Sequence, residues 1–266
     1  MIQAGLSDAL TPAATSRTGT APEAAGSPGP AEKIWILIPA FNEAERIGQV
    51  LEEIRREVPG IPVVVIDDGS RDATARVARA QGAEVISLPF NNGYGVALQT
   101  GFRYAVRNHV SLVVQMDADG QHDASEVPRL IHEAQQQDVD MVIGSRFLNP
   151  GQYRAPWLRG LGIRIFGFLA SRIIGQKVTD PTSGFQALKG PAIRFAASDL
   201  YPPDYPDADF LILLHRHGFR MREVPVKMRP SPDNKSMHHG SKTVYYIFKM
   251  FLSIFVTLLR QKPESA

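Results

Sequence analysis

The chain has 266 residues, 44% of them hydrophobic and 21% charged, with a formal net charge of +2 and no cysteine. That is enough for one sizeable core, or a core with an appended lobe. The charge total implies no nucleic-acid or other polyelectrolyte partner, and the lack of cysteine excludes disulfides, thiolate metal sites and cysteine nucleophiles. The distribution of charge says more than its sum. Residues 34–143 carry 16 acids against 9 Lys and Arg, whereas 151–194 carry 7 Lys and Arg against the single acid Asp180. An acidic half facing a basic half suits a site that holds a cation on one side and phosphates on the other.

Residues 1–33 lack a basic stretch followed by an apolar one, so they are not a signal peptide. Rich in Ala, Thr, Gly and Pro, they read as a disordered leader. Ile34–Ile38 is an apolar run ending at Pro39 and reads as a buried strand. Between Glu43 and Glu57, apolar residues at Ile47, Val50, Leu51 and Ile54 have helical spacing. Pro62–Ile66 is a second strand, and Asp67-Asp68-Gly69-Ser70 is a turn at its end. A helix from about Asp72 to Ala80 precedes a short strand, Glu84–Leu88. Then come a helix over Gly93–Arg107, a strand over Ser111–Met116, a helix over Ala124–Gln136 and a strand over Asp140–Ile143. Strands alternating with helices predict an α/β fold with a mostly parallel sheet and helices on both faces. Beyond Asn149 the pattern predicts a basic, apolar helix over Pro156–Ile174, a strand over Phe185–Leu188 and a short helix over Asp207–His217. Phe219–Met228 reads as a strand near an edge, because Pro225 interrupts it.

Val244–Leu259 is apolar except for Lys249, Ser253 and Thr257, spaced by four so as to form one narrow stripe. It is short, and charged, for a membrane span of about 20 residues, and reads as a helix lying in a membrane interface. The alternative is a helix packed on the domain or in a dimer contact. His215 to Lys249 carries 8 Lys and Arg against 2 acids, which suits an anionic membrane surface.

Two acidic clusters carry the chemistry. Asp117-Ala118-Asp119, with Gln121 and His122 behind it, ends an apolar strand, and residues two apart on extended chain point the same way. Such a pair suits Mg2+ or Mn2+, which takes a few carboxylates and completes its shell with waters and substrate phosphates. Asp67-Asp68 ends the second strand. Parallel sheets bind ligands outside the C-terminal ends of their strands, where both clusters fall.

Five motifs in order give the chain a wider resemblance. Ile38-Pro39-Ala40-Phe41-Asn42-Glu43, Ile66-Asp67-Asp68-Gly69-Ser70-Arg71-Asp72, Met116-Asp117-Ala118-Asp119-Gly120-Gln121-His122, Gly144-Ser145-Arg146 and Asp180-Pro181-Thr182-Ser183-Gly184-Phe185 resemble family 2 glycosyltransferases. The likeness is to the dolichol-phosphate mannosyltransferase and polyprenyl-phosphate glycosyltransferase branch, from about Ile34 to Leu259. It implies the GT-A nucleotide-binding sandwich, over 34–230, followed by a basic loop and the C-terminal helix over 231–266. By position, Pro39, Phe41, Glu43 and Asp68 would line the nucleotide pocket together with Asp117, while Asp117, Asp119 and Gln121 would hold the metal. Arg146 would lie near the donor or acceptor phosphates, Asp180 would shape the sugar pocket on the acceptor side, and Arg229, in a mobile loop, would meet the donor pyrophosphate. Arg164, on the basic helix, is the candidate for the acceptor phosphate.

Two positions depart from the pattern. Asp209 stands where many members carry Glu, with Asp207 a close competitor, and Gly120 stands where Leu is common. The motif of processive polysaccharide synthases is absent, which argues against a polymerase. The resemblance implies inversion by direct displacement, with catalysis resting on Asp119 and Arg146, and on Asp209 as base if the acceptor is a sugar hydroxyl rather than a lipid phosphate. The expected partners are a nucleotide-sugar donor, a polyprenyl-phosphate acceptor and the cytoplasmic face of a membrane. A small membrane-protein partner and an oligomer stay open. A nucleotidyltransferase would carry a Gly-rich loop after the first strand, which 39–43 is not, and a non-enzymatic membrane scaffold would not need the Asp117/Asp119 pair.

Overall fold

The structure, a computed structural model, describes residues 32–149, 157–230 and 241–259. The leader up to residue 31 and the basic loop 231–240, with His238 and His239, lie outside them. The elements follow the expected order: β1 Ile34–Ala40, α1 Ile47–Glu57, β2 Val63–Asp67, α2 Thr74–Ala80, β3 Glu84–Ser87, α3 Tyr94–Arg107 and β4 Leu112–Gln115. After a single 3-10 turn at Ala124–Glu126 come α4 Val127–Ala134, β5 Met141–Ser145, α5 Trp157–Ile174 and β6 Gln186–Lys189. The chain then forms α6 Gly190–Ala196, α7 Ala208–Arg216, β7 Met221–Pro225 and α8 Ser241–Leu259. The expected helix at 124–136 is split by Pro128 near its start, and α6 is an addition to the sequence-based reading.

Seven strands form one sheet in the order β3-β2-β1-β4-β6-β5-β7. All pairings are parallel except those of β6, which runs antiparallel between β4 and β5. Alternating residues of β1 divide the core. Trp35 and Leu37 face a layer containing α3, α5, α6, α7 and α8, while Ile36, Ile38 and Ala40 face α1, α2 and α4. β7 is an edge strand, so Pro225 removes no ladder bond on its outer side.

Pro39 shows how the fold opens its crevice. On β1 the even residues bond toward β2, as Ala40 O does in accepting from Asp68 N, and Leu37 O bonds toward β4 by accepting from Met116 N. Pro39 therefore turns its missing N–H toward β4, whose ladder with β1 has already ended at Leu37–Gln115. A proline is tolerated in this central strand because its neighbour has left. The gap beyond lies between β1 and β4, where the strand order reverses direction and parallel sheets bind ligands.

Candidate active site

Loops from three strand ends converge on that gap. After β1, Asn42 adopts φ 55, and its side-chain oxygen accepts from Arg71 N at 2.8 Å. Asn42 N donates to Ser70 Oγ at 2.9 Å and Glu43 N to Thr74 Oγ1 at 2.8 Å, lacing the β1 loop to the β2 loop. Gly69 between them has φ 68, and a Cβ there would stand 2.4 Å from the Phe90 carbonyl carbon, so only glycine fits. Asp68 is buried, and its two carboxylate oxygens accept from Asn92 N and Gly93 N, each at 2.8 Å. The structure thus makes Asp68 the brace of the loop that enters α3, while Phe41 stands exposed at the rim.

β4 delivers the second cluster. Asp117 Oδ1 accepts from the Tyr94 hydroxyl at 2.8 Å, and Asp117 N donates to His122 Nδ1 at 3.0 Å. His122 Nε2 stands 3.5 Å from Asp117 Oδ2, and its ring stacks on Phe185 with centroids 4.7 Å apart. Asp119 Oδ1 accepts from Gln121 N at 2.9 Å, and the Gln121 side-chain amide donates to Asp119 Oδ2. Gln121, expected as a metal ligand, reaches Asp119 with its amide nitrogen, which orients that carboxylate. Burial raises the pKa of Asp117, opposed by His122 and reinforced by Asp119. Glu43 is also raised, chiefly by burial, with Asp119 among the contributors, so the β1 and β4 loops share one electrostatic site. Among the described residues no group of three or more His, Asp or Glu could close around a metal ion. Two carboxylates without a third fit a hard cation that completes its shell from water and substrate phosphates, as Mg2+ and Mn2+ do. Asp117 and Asp119 would hold it.

On the other side of the gap, Arg146 and Asp180 find each other. The guanidinium grips the carboxylate through Nε and Nη2, each at 2.7 Å, Arg146 N adds a third bond at 3.0 Å, and Thr182 Oγ1 accepts from Nη2 at 2.9 Å. Both side chains are buried. Glu223 of β7 holds the same segment by accepting from Thr179 N and Asp180 N at 2.9 and 2.8 Å, and burial raises its pKa. Two residues assigned to the acceptor side on resemblance thus form one fixed unit that shapes the wall. Arg229 is likewise engaged. It binds both oxygens of Glu53 on α1, at 2.6 and 2.7 Å, lies 3.5 Å from Asp123 and donates its backbone N–H to Gln121 O at 2.8 Å. In this structure the Arg229 segment lies against the Asp117–Asp123 loop, and Glu53 also accepts from Ala124 N at 3.1 Å.

Asp209 sits apart. It is 2% exposed at the start of α7, and its oxygens accept from Phe210 N at 2.8 Å, Asp207 N at 3.1 Å and the Ser253 hydroxyl of α8. Burial raises its pKa. Its competitor Asp207 is only half-buried and lies close enough to Tyr94 to help raise that phenol well above 10, an effect led by burial. Asp209 ties α7 to α8.

That anchoring fixes which side of α8 faces the protein. Lys249 pairs with Asp204, Ser253 with Asp209, and Thr257 is buried, so the polar stripe of α8 faces the protein. Phe248, Phe255 and Leu259 are 65%, 59% and 67% exposed, joined by Phe251, Leu252 and Val256. Phe251 meets Phe166 of α5 at 5.2 Å, and Arg164, Ile165 and Phe168 of that helix are also exposed. Among the described residues no helix is long and apolar enough to cross a membrane.

Residues 35–195, more than half of the chain, match the family description Glycosyl transferase family 2. The chain belongs to glycosyltransferase family 2. An undecaprenyl-phosphate mannosyltransferase of Micrococcus luteus is 32% identical over 203 residues, covering 73% of this chain and 82% of the relative. A polyprenol monophosphomannose synthase of Mycolicibacterium smegmatis is 28% identical over 232 residues, covering 83% and 86%. Glucosyl-3-phosphoglycerate synthase of Mycobacterium tuberculosis, crystallised with Mn2+, UDP-glucose and phosphoglyceric acid, superposes with a TM-score of 0.68 at 22% identity, covering 85% of this chain and 80% of that one. The fold of this family 2 member is therefore GT-A, as the motifs imply. Tyr94, Glu53 and Glu223 escaped sequence reasoning, and Ser253 was legible only as part of the α8 stripe, since nothing local marks a tyrosine that opens a helix or names a serine's distant partner. The contacts that define them span 23 to 176 residues of chain.

Proposed function

We propose that this chain is a metal-dependent, inverting glycosyltransferase that moves a sugar from a nucleoside-diphosphate sugar, GDP-mannose or a UDP-sugar, to a polyprenyl or dolichyl phosphate. The observation that carries this reading is the Asp117/Asp119 pair beyond the end of β4, at the gap between β1 and β4, with no third His, Asp or Glu grouped with it among the described residues. The acceptor phosphate oxygen forms the new bond to the anomeric carbon, the bond to the donor's β-phosphate oxygen breaks, and the nucleoside diphosphate leaves with the electron pair. A lipid phosphate is already anionic, so no general base is required, and the protein's task is to position and to stabilise charge. Bound Mg2+ or Mn2+ supplies charge neutralisation on the departing diphosphate. Glu43, Phe41 and the Asp68-braced loop frame the nucleotide side, and the Arg146–Asp180 unit the sugar and acceptor side. Exposed Arg164 is the candidate for the incoming phosphate.

The outward apolar side of α8 supports peripheral attachment to the cytoplasmic face of a membrane, where such an acceptor resides. The names of the Micrococcus and Mycolicibacterium relatives point to the same acceptor class.

The test is a donor panel of GDP- and UDP-sugars with Mg2+ or Mn2+ and a short polyprenyl phosphate, reading nucleoside diphosphate release and the glycolipid by mass. The reading expects turnover with one donor that needs both lipid and metal and is lost in Asp119→Ala. Donor hydrolysis or binding without any glycolipid would redirect the reading to a hydroxyl acceptor, with Asp209 as base. No metal-dependent donor binding would remove the enzyme reading and leave a membrane scaffold.

A further inference from the structure

Asp117 is held on three sides, and the order of the contacts fixes which way its carboxylate faces. Gln115, buried on β4, donates from Nε2 to the Tyr94 oxygen at 3.1 Å. An amide N–H can only donate, so the single hydroxyl proton of Tyr94 is directed to the other neighbour, Asp117 Oδ1 at 2.8 Å. A carboxylate is also the stronger acceptor for it. On the opposite side the His122 ring, flattened against Phe185, has Nδ1 tied to Asp117 N and presents Nε2 to Oδ2. Behind both lies Gly184. A Cβ at that position would stand 2.8 Å from the Tyr94 hydroxyl and 3.1 and 3.2 Å from the two Asp117 oxygens. The carboxylate is thus wedged among Tyr94, His122 and Gly184.

We infer that Tyr94 is a positioning residue for the cation, setting Asp117 in its ligating orientation through the Gln115–Tyr94–Asp117 chain, and that Gly184 is required to leave room for that chain. This rests on the proposed role of Asp117 and Asp119 as metal ligands. Partners that orient metal-bound carboxylates typically contribute 10- to 100-fold in metal affinity. Tyr94→Phe keeps the ring and removes only the donor.

The experiment titrates Mn2+ into the full chain at saturating UDP or GDP, following free Mn2+ by electron paramagnetic resonance. Nucleotide affinity without metal and the melting temperature are measured alongside. Tyr94→Phe should weaken Mn2+ about 10- to 100-fold, leaving metal-free nucleotide binding and melting near wild type, with turnover recovering at high Mn2+. Gln115→Leu, which leaves Tyr94 in place, should show a smaller loss in the same direction, and Gly184→Ala a loss at least as large as Tyr94→Phe. Mn2+ affinity within twofold of wild type in both Tyr94→Phe and Gln115→Leu overturns the inference while leaving the metal site intact. Wild-type Mn2+ binding that is absent, or indifferent to Asp119→Ala, removes the metal reading and this inference with it.

Discussion

Replacing Phe248 and Phe255 together by serine tests the outward face of α8 without touching the contacts that hold it. At 65% and 59% exposure they present, between them, a little more than one whole phenylalanine side chain to the surroundings. Fully burying such a side chain contributes about 1.5–3 kcal/mol. Full immersion of both exposed parts is therefore worth about 2–4 kcal/mol, which is roughly 30- to 900-fold in partitioning. Insertion only to headgroup depth recovers part of that, so at least a tenfold loss of vesicle binding is expected. The assay is co-sedimentation with vesicles containing anionic lipid, paired with turnover on a soluble short-chain acceptor and a melting curve. Binding should fall while soluble turnover and melting stay near wild type, because Met250 and Ile254, which pack inward, are unchanged. Vesicle binding equal to wild type would refute the assignment of this face to a membrane. A large drop in melting temperature would show instead that the two rings pack against protein.

Other outcomes follow from single contacts. Ser253→Ala leaves the buried Asp209 carboxylate one donor short and should cost about 1–3 kcal/mol in urea unfolding, loosening α8 first. Because burial raises the Asp209 pKa above its usual 3.8, the folded state binds more protons than the unfolded chain just above that value. Its contribution is then fully present below pH 3.8 and declines as pH rises through the folded value, so unfolding curves of wild type and Asp209→Asn should diverge in favour of the variant over that window. Arg146→Ala strands Asp180 as a buried, unpaired charge and should destabilise by about 3–5 kcal/mol, with much of the loss recovered in Arg146→Ala/Asp180→Ala. A full loss in the double variant would point to packing rather than charge. Gly69→Ala meets both a left-handed backbone and the Phe90 main chain, and should lower donor binding together with stability.

Strand and helix order was legible because each element carries its own period. β1, β2, β4 and β5 are continuous apolar runs, α1 places Ile47, Val50, Leu51 and Ile54 on one face, and Pro225 marks an edge. The acidic clusters at the ends of β2 and β4 could be placed at a ligand site from the rule for parallel sheets alone. What the sequence left open was every choice made between distant segments. Nothing in Gln186–Lys189 says that it runs antiparallel between β4 and β5, because a short apolar strand has no direction in its composition. Lys249, Ser253 and Thr257 spell out a polar stripe but not which side is wet. That was decided by Asp204 and Asp209, two carboxylates some 40 residues earlier that offer the stripe its partners inside the protein. Arg146, Arg229 and Asp68 could be named from motif position as candidates for phosphate and nucleotide, but not their partners Asp180, Glu53 and the 92–93 backbone, which only folding brings within hydrogen-bond reach. Periodicity and motif order are local properties and determine the elements and the reaction class. Which charge meets which is settled only when burial forces each polar group to find a partner, and that belongs to the tertiary structure.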